Sequence, residues 1–133
     1  MQLFSVDQAN RTLPLVRRIV EDVVREHRRR TEQLVQLDLL VSASGDDGAD
    51  PRIAPLEREI QVIGREIEGF ERELRALGIQ LKDPRIGLID FPSNLDGRRV
   101  LLCWHLGEPS VQFWHDEQGG FAGRQPLTPT LVG

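Results

Sequence analysis

Seven apolar residues recur at helical spacing through the middle of this chain: Leu56, Ile60, Ile63, Ile67, Phe70, Leu74 and Leu77, in steps of 4, 3, 4, 3, 4 and 3. A stripe of this kind runs along one side of an α-helix and needs a partner surface to bury it. A second stripe precedes it: Leu13, Val16, Val20, Val23, His27, Arg30, Leu34, Leu37 and Val41. That span is about 45 Å of helix at 1.5 Å per residue. Ser42 to Asp50, all small or polar, reads as a turn or mobile linker between the two. Two long helices so connected fold back as an antiparallel hairpin, their stripes forming the seam. Such a hairpin cannot bury all its apolar residues alone, so further structure or a second copy of the chain has to cover the rest.

The helix ends carry their own signals. Ser5-Val6-Asp7-Gln8 has the form of a capping box. It predicts a short helix to about Arg11, with Pro14 in the first turn of a second helix. Pro51 and Pro55 open the next helix, and Gly78 after Leu77 supplies a left-handed C-cap. From Ile79 the period changes to that of strands. Ile79–Lys82, Leu88–Phe91, Arg99–Leu106 and Val111–His115 are the candidates, with Asn94-Leu95-Asp96-Gly97 as a turn. Asp83-Pro84-Arg85 and Asp90-Phe91-Pro92-Ser93 also read as turns, and Gly119–Gly133 as mostly loop. The expected class is therefore α+β. A helical hairpin over 1–78, with the linker at 42–50, packs as one domain with a small antiparallel sheet over 79–133.

Composition excludes several classes. The net charge is −4 and the pI about 5.4, which argues against bulk nucleic-acid binding. Residues 1–40 hold seven Arg against six acids, whereas 45–83 hold six basic residues against ten acids. The Arg25-Glu26-His27-Arg28-Arg29-Arg30 cluster thus reads as a solvated face pairing with acids such as Glu66 and Glu68 of the second helix. No apolar run reaches the roughly 20 residues of a membrane span, and no signal peptide is legible at the start. One cysteine excludes an internal disulfide. The expected location is the cytoplasm.

The chemistry is concentrated near the end. Both tryptophans, the single cysteine, two of three histidines and two carboxylates fall between Cys103 and Asp116. A three-residue loop, Glu108 to Ser110, would pair Gly107 with Val111, His105 with Phe113 and Cys103 with His115. Cys103, His105 and His115 then share one face, and a slip of one residue would remove His115 from it. With Glu108 or Asp116 as a fourth ligand this set suits zinc. The competing reading is a buried thiol beside two surface histidines. The two tryptophans read as core rather than a ligand cage, and His27 as a packed seam residue. Asp90 with Arg98, Arg99 or Arg124 could form a polar pocket. No P-loop, GxSxG, HExxH or dinucleotide fingerprint is present.

Taken together, the segments resemble a bacterial family of small proteins known only as a domain of unknown function. The opening Phe4-Ser5-x3-Ala9-Asn10-Arg11-x-Leu13-Pro14 carries part of the resemblance. The block Gly78-x2-Leu81-Lys82-Asp83, Gly87-Leu88-x-Asp90-Phe91-Pro92, Leu102-Cys103-Trp104 and Leu106-Gly107-Glu108-Pro109 carries more, and Trp114-His115-x4-Gly120-Phe121-x-Gly123-Arg124-x-Pro126-Leu127 closes it. The resemblance implies no particular activity. It gives less weight to His105, where a basic residue, often Arg, stands in the family. It directs attention to Asp90, Cys103, Glu108, His115 and Arg124 around one cleft.

Two functions follow as expectations. The first is a cytoplasmic interaction or scaffold protein, homo-oligomeric through its helices or a sheet edge. The second is a small-molecule-binding or metal-dependent enzyme with catalytic candidates Glu108, His115, Arg124 and Asp90. Its metal candidates are Cys103, His105, His115 and Glu108. RNA contact through Arg25–Arg30 is the weakest reading.

Overall fold

In a computed structural model of the chain, residues 2–45 and 50–128 are described. Two helices, α1 (Val6–Ser44) and α2 (Ile53–Ala76), precede five strands. These are β1 (Gln80–Asp83), β2 (Leu88–Leu95), β3 (Arg98–His105), β4 (Phe113–His115) and β5 (Gln125–Pro126). The strands form one antiparallel sheet in the order β1-β2-β3-β4-β5. This is the expected α+β arrangement of a helical hairpin followed by a small sheet.

Ser5 caps α1 with the capping box in place: its hydroxyl accepts from Gln8 N–H, and the Gln8 side chain accepts from Ser5 N–H. The helix then runs without interruption through Pro14, which corrects the expected break near Arg11. A proline there removes the bond to the Asn10 carbonyl and crowds the preceding turn. Ala9, Leu13 and Val16 are nevertheless all buried in the core, while Pro14 itself faces solvent. Only one continuous helix keeps those three residues in phase, and their burial outweighs the proline's cost. The helix also extends through Ser42–Ser44, into the expected linker, and ends at Gly45 with φ 61°. The remainder of that linker, 46–49, lies outside the described residues, as do 129–133 of the tail.

The stripe of α2 is buried or half-buried along its whole length. Gly78 (φ 85°) terminates the helix with its N–H on the Arg75 carbonyl, and Ile79 N–H returns to the Leu74 carbonyl. The stripe of α1 holds only to Val23. A straight helix drifts by about 20° per heptad against a 3.5-residue repeat. Glu26 therefore takes the buried place expected of His27, and Leu34 and Val41 are 42% and 52% exposed. Glu26 receives hydrogen bonds from Arg25 and Arg29, and Arg29 continues to Glu59 at 2.7 Å. The acid of α2 that pairs with the basic cluster is thus Glu59 rather than Glu66 or Glu68.

Phe4, Ala9, Leu13, Val16 and Val20 cover the inner face of the sheet, where Ile89, Phe91, Val100, Leu102, Trp104 and Trp114 are buried. Leu74 and Ile79 close the core at the end of α2. Both tryptophans are core residues, as expected. Gly87 (φ 69°) lets the β1–β2 turn press against α1: a Cβ there would lie 2.6 Å from Val20 Cγ1.

Two strand readings need correction. Asp90–Ser93 is the middle of β2, not a turn. Pro92 is tolerated because β1 has ended by that point, its last partner being Asp90. Phe4 takes the vacated edge, donating its N–H to the Pro92 carbonyl at 2.7 Å, and Ser93 Oγ donates to the Phe4 carbonyl. The β3–β4 register also differs, with Leu101 opposite His115 and Cys103 opposite Phe113. The connection spans 106–112 because Asn10 of α1 captures Val111. Asn10 Oδ1 accepts from Val111 N–H at 2.7 Å and Asn10 Nδ2 donates to its carbonyl at 3.4 Å. Val111 therefore bonds to a helix rather than to a strand. The shift is two residues, so each side chain keeps its face.

Candidate metal centre

Alternation along the central strands decides which side chains meet. With Ile89, Phe91, Leu102, Trp104 and Trp114 turned inward, Asp90, Cys103, His105, Phe113 and His115 turn outward. Asp90 of β2 lies directly opposite Cys103 of β3. His115 of β4 stands one diagonal step away, opposite Leu101. An Asp90 carboxylate oxygen, the Cys103 sulfur and a His115 ring nitrogen all lie within 4.8 Å of one another. The three residues are 2%, 0% and 3% exposed, so their polar atoms must satisfy one another.

The hydrogen bonds fix much of the chemistry. His115 Nδ1 is 2.6 Å from the Asp116 carbonyl oxygen, which can only accept, so Nδ1 carries a proton. His115 Nε2 is 3.1 Å from Asp90 Oδ1, and that contact requires one further proton between them. The Cys103 sulfur lies within 4.8 Å of both the Asp90 carboxylate and the His115 ring. Burial pushes this thiol up to about 12, and the nearby Asp90 charge acts in the same direction. A metal-free Cys103 is thus a protonated donor, and a cation at the three atoms would have to displace its proton.

The chain beyond β4 roofs this site. Asp116 Oδ1 accepts from the backbone N–H groups of Gln118 and Gly119, turning the chain back toward a short 3-10 helix at Phe121–Gly123. Between roof and sheet is a cleft of about 190 Å³ lined by Lys82, Leu88, Asp90, Leu101, His115, Glu117, Gln118, Gly120 and Phe121. Asp90 and His115 border it. Cys103 is not among its walls and lies behind them.

The other expected site residues form a separate cluster. Arg124 Nη2 donates to both Glu108 oxygens, at 2.7 and 2.9 Å, and reaches the Cys103 carbonyl at 3.4 Å. Its guanidinium lies 3.9 Å from the Phe113 ring centroid and 4.9 Å from that of Phe121. Glu108 Oε1 also accepts from His105 N–H, and Trp104 Nε1 donates to the Glu108 carbonyl. His105 Nδ1 bonds the Leu106 carbonyl, while its Nε2 stays 3.8 Å from Glu108 Oε1. Glu108 and Arg124 therefore tie the 106–112 connection to the roof. Of the four metal candidates, Cys103 and His115 meet, and His105 and Glu108 stand apart from them. Asp90 has His115 and Cys103 as its neighbours, whereas Arg98 and Arg99 face Asp116 at 3.8 Å and Glu117 at 3.9 Å.

Strand spacing did not place Asp90 beside Cys103 and His115, because Pro92 made its segment resemble a turn. Strand alternation carried through Pro92 would have placed Asp90 on the face of Cys103.

The family model described as an uncharacterized conserved protein (DUF2203) matches residues 2–127. The chain belongs to this family. No curated protein and no solved structure matches it. Among the described residues, no helix is long and apolar enough to cross a membrane.

Proposed function

We propose that this family member binds a zinc-class divalent ion through Asp90, Cys103 and His115. The observation that carries the reading is the convergence of three different donor types, one from each of β2, β3 and β4, within 4.8 Å. Zinc bonds of about 2.0–2.3 Å at tetrahedral angles put donors about 3.3–3.8 Å apart. The Nε2 to Oδ1 distance of 3.1 Å is close to that spacing. A thiolate, an imidazole and a carboxylate together favour zinc over calcium or magnesium, which take oxygen ligands. The Asp116 carbonyl acts as the outer partner of a metal-bound histidine, holding the proton on Nδ1 and leaving Nε2 as the donor. Three protein ligands leave a fourth position open, the arrangement found in catalytic zinc sites. Asp90 and His115 border the cleft, so a fourth ligand would enter from there.

The test is metal content by mass spectrometry on untagged full-length protein, with circular dichroism to verify folding. One zinc per chain is expected, lost in Asp90→Asn and His115→Ala and retained in His105→Ala. No uptake, or uptake indifferent to Asp90 and His115, would sink the reading.

A second reading concerns the hairpin. We infer self-association through the part of it beyond Val24, where α1 no longer joins the core. Leu34, Val35, Leu39 and Val41 of α1 and Val62 of α2 are exposed there, apolar side chains that a second copy of the chain would cover. Light scattering should give a mass above the 15.1 kDa of one chain, returning to it in Leu34→Glu/Val41→Glu. A monomer at high concentration would remove this reading.

A further inference from the structure

We propose that the cleft over the metal centre takes a small carboxylate, one oxygen filling the open metal position and the other facing the ammonium of Lys82. This rests on the metal reading and names its ligand class. Lys82 is the chain's single lysine beside sixteen arginines. It sits where the β1–β2 register is irregular, between Leu81 and Asp83. Such a bulge re-aims a side chain, and Lys82 lines the cleft with Asp90 and His115.

Charge chooses the sign of the ligand. Zinc with an Asp90 carboxylate, a Cys103 thiolate and a neutral His115 is neutral in sum. Glu117 on the roof is met by Arg99 at 3.9 Å. Lys82 has no ion pair among the described residues, which leaves one uncompensated positive charge beside the open position. Leu88, Leu101 and Phe121 supply apolar wall, so the ligand carries a short apolar body. About 190 Å³ has room for only a few heavy atoms.

The experiment uses the full chain loaded with cobalt(II), whose visible d–d bands report both the donor set and any ligand entering the fourth position. Propionate is the probe and propylamine the cationic control. Propionate should shift the bands saturably, propylamine should not, and Lys82→Gln should weaken propionate binding about tenfold with cobalt affinity unchanged. A cobalt spectrum indifferent to propionate overturns the ligand proposal alone, as does equal affinity in Lys82→Gln or a response to propylamine. Absence of the cobalt bands overturns the metal reading and this proposal with it.

Discussion

Gly87 brings the β1–β2 turn into close contact with α1, and replacing it with alanine gives a calculable penalty. Its φ of 69° lies in the left-handed region, which costs an alanine roughly 1–2 kcal/mol. The added Cβ would also stand 2.6 Å from Val20 Cγ1 and 3.0 Å from both Leu106 Cβ and Val24 Cγ2. Val20 is fully buried and cannot swing away. Overpacking of this kind costs about 1–3 kcal/mol, so Gly87→Ala should lose about 2–5 kcal/mol in all. That is a large share of the roughly 5–15 kcal/mol that holds a domain together. Urea unfolding followed by circular dichroism measures it, with the m-value checked for constancy. A cycle with Val20→Ala separates the two causes. The double variant should be less destabilised than the sum of the singles by about 1 kcal/mol or more, because the valine methyls are the main obstruction. The backbone part of the cost should remain. A Gly87→Ala protein within about 0.5 kcal/mol of wild type, or strictly additive singles, would refute the close-contact argument.

Other outcomes follow from single contacts. Asn10→Ala strips the buried Val111 backbone of both its partners and should cost about 1–3 kcal/mol, with faster hydrogen exchange at the Val111 amide; unchanged exchange there would show that the side chain does not hold the connection. The Cys103 thiol, raised to about 12 by burial, should resist iodoacetamide at pH 8 in the folded metal-free protein and react once urea unfolds it. The unfolded thiol ionises near 9.0, so this group's contribution is present below pH 9 and is lost as pH rises toward 12; rapid alkylation of folded protein would contradict the burial. Asp50, lowered to about 2 by hydrogen bonds from the Arg52 side chain and backbone, contributes above its ordinary value of 3.8 and loses that contribution as pH falls toward 2. Amide exchange at the start of α2 should therefore rise over that interval in wild type and show no such step in Asp50→Asn.

How much was legible in advance depended on how local each signal was. The seven-residue stripe of α2, the capping box at Ser5 and the cap at Gly78 are satisfied within a few residues of themselves, and each stands where the spacing predicts. The Asp96-Gly97 pair likewise forms the tight β2–β3 turn, with φ of 54° and 76°. Local rules erred at the prolines. Pro14 breaks a helix and Pro92 a strand by local preference. In the structure the core phase of Ala9, Leu13 and Val16 overrides the first, and the bond from Phe4 to the Pro92 carbonyl accommodates the second.

By itself, then, the sequence determined the helical hairpin, the change to a sheet at Ile79 and the crowding of reactive side chains near Cys103, because periodicity and turn chemistry act over short distances. Strand alternation put Cys103 and His115 on one face for one loop length and on opposite faces after a slip of one residue. Only the tertiary structure decided that Asp90 joins them while His105 and Glu108 do not. The β2–β3 pairing sets Asp90 opposite Cys103, and where His115 falls beside them turns on the length of the 106–112 connection. The side chain of Asn10, 101 residues away from Val111, sets that length, and no local preference encodes a contact across such a separation.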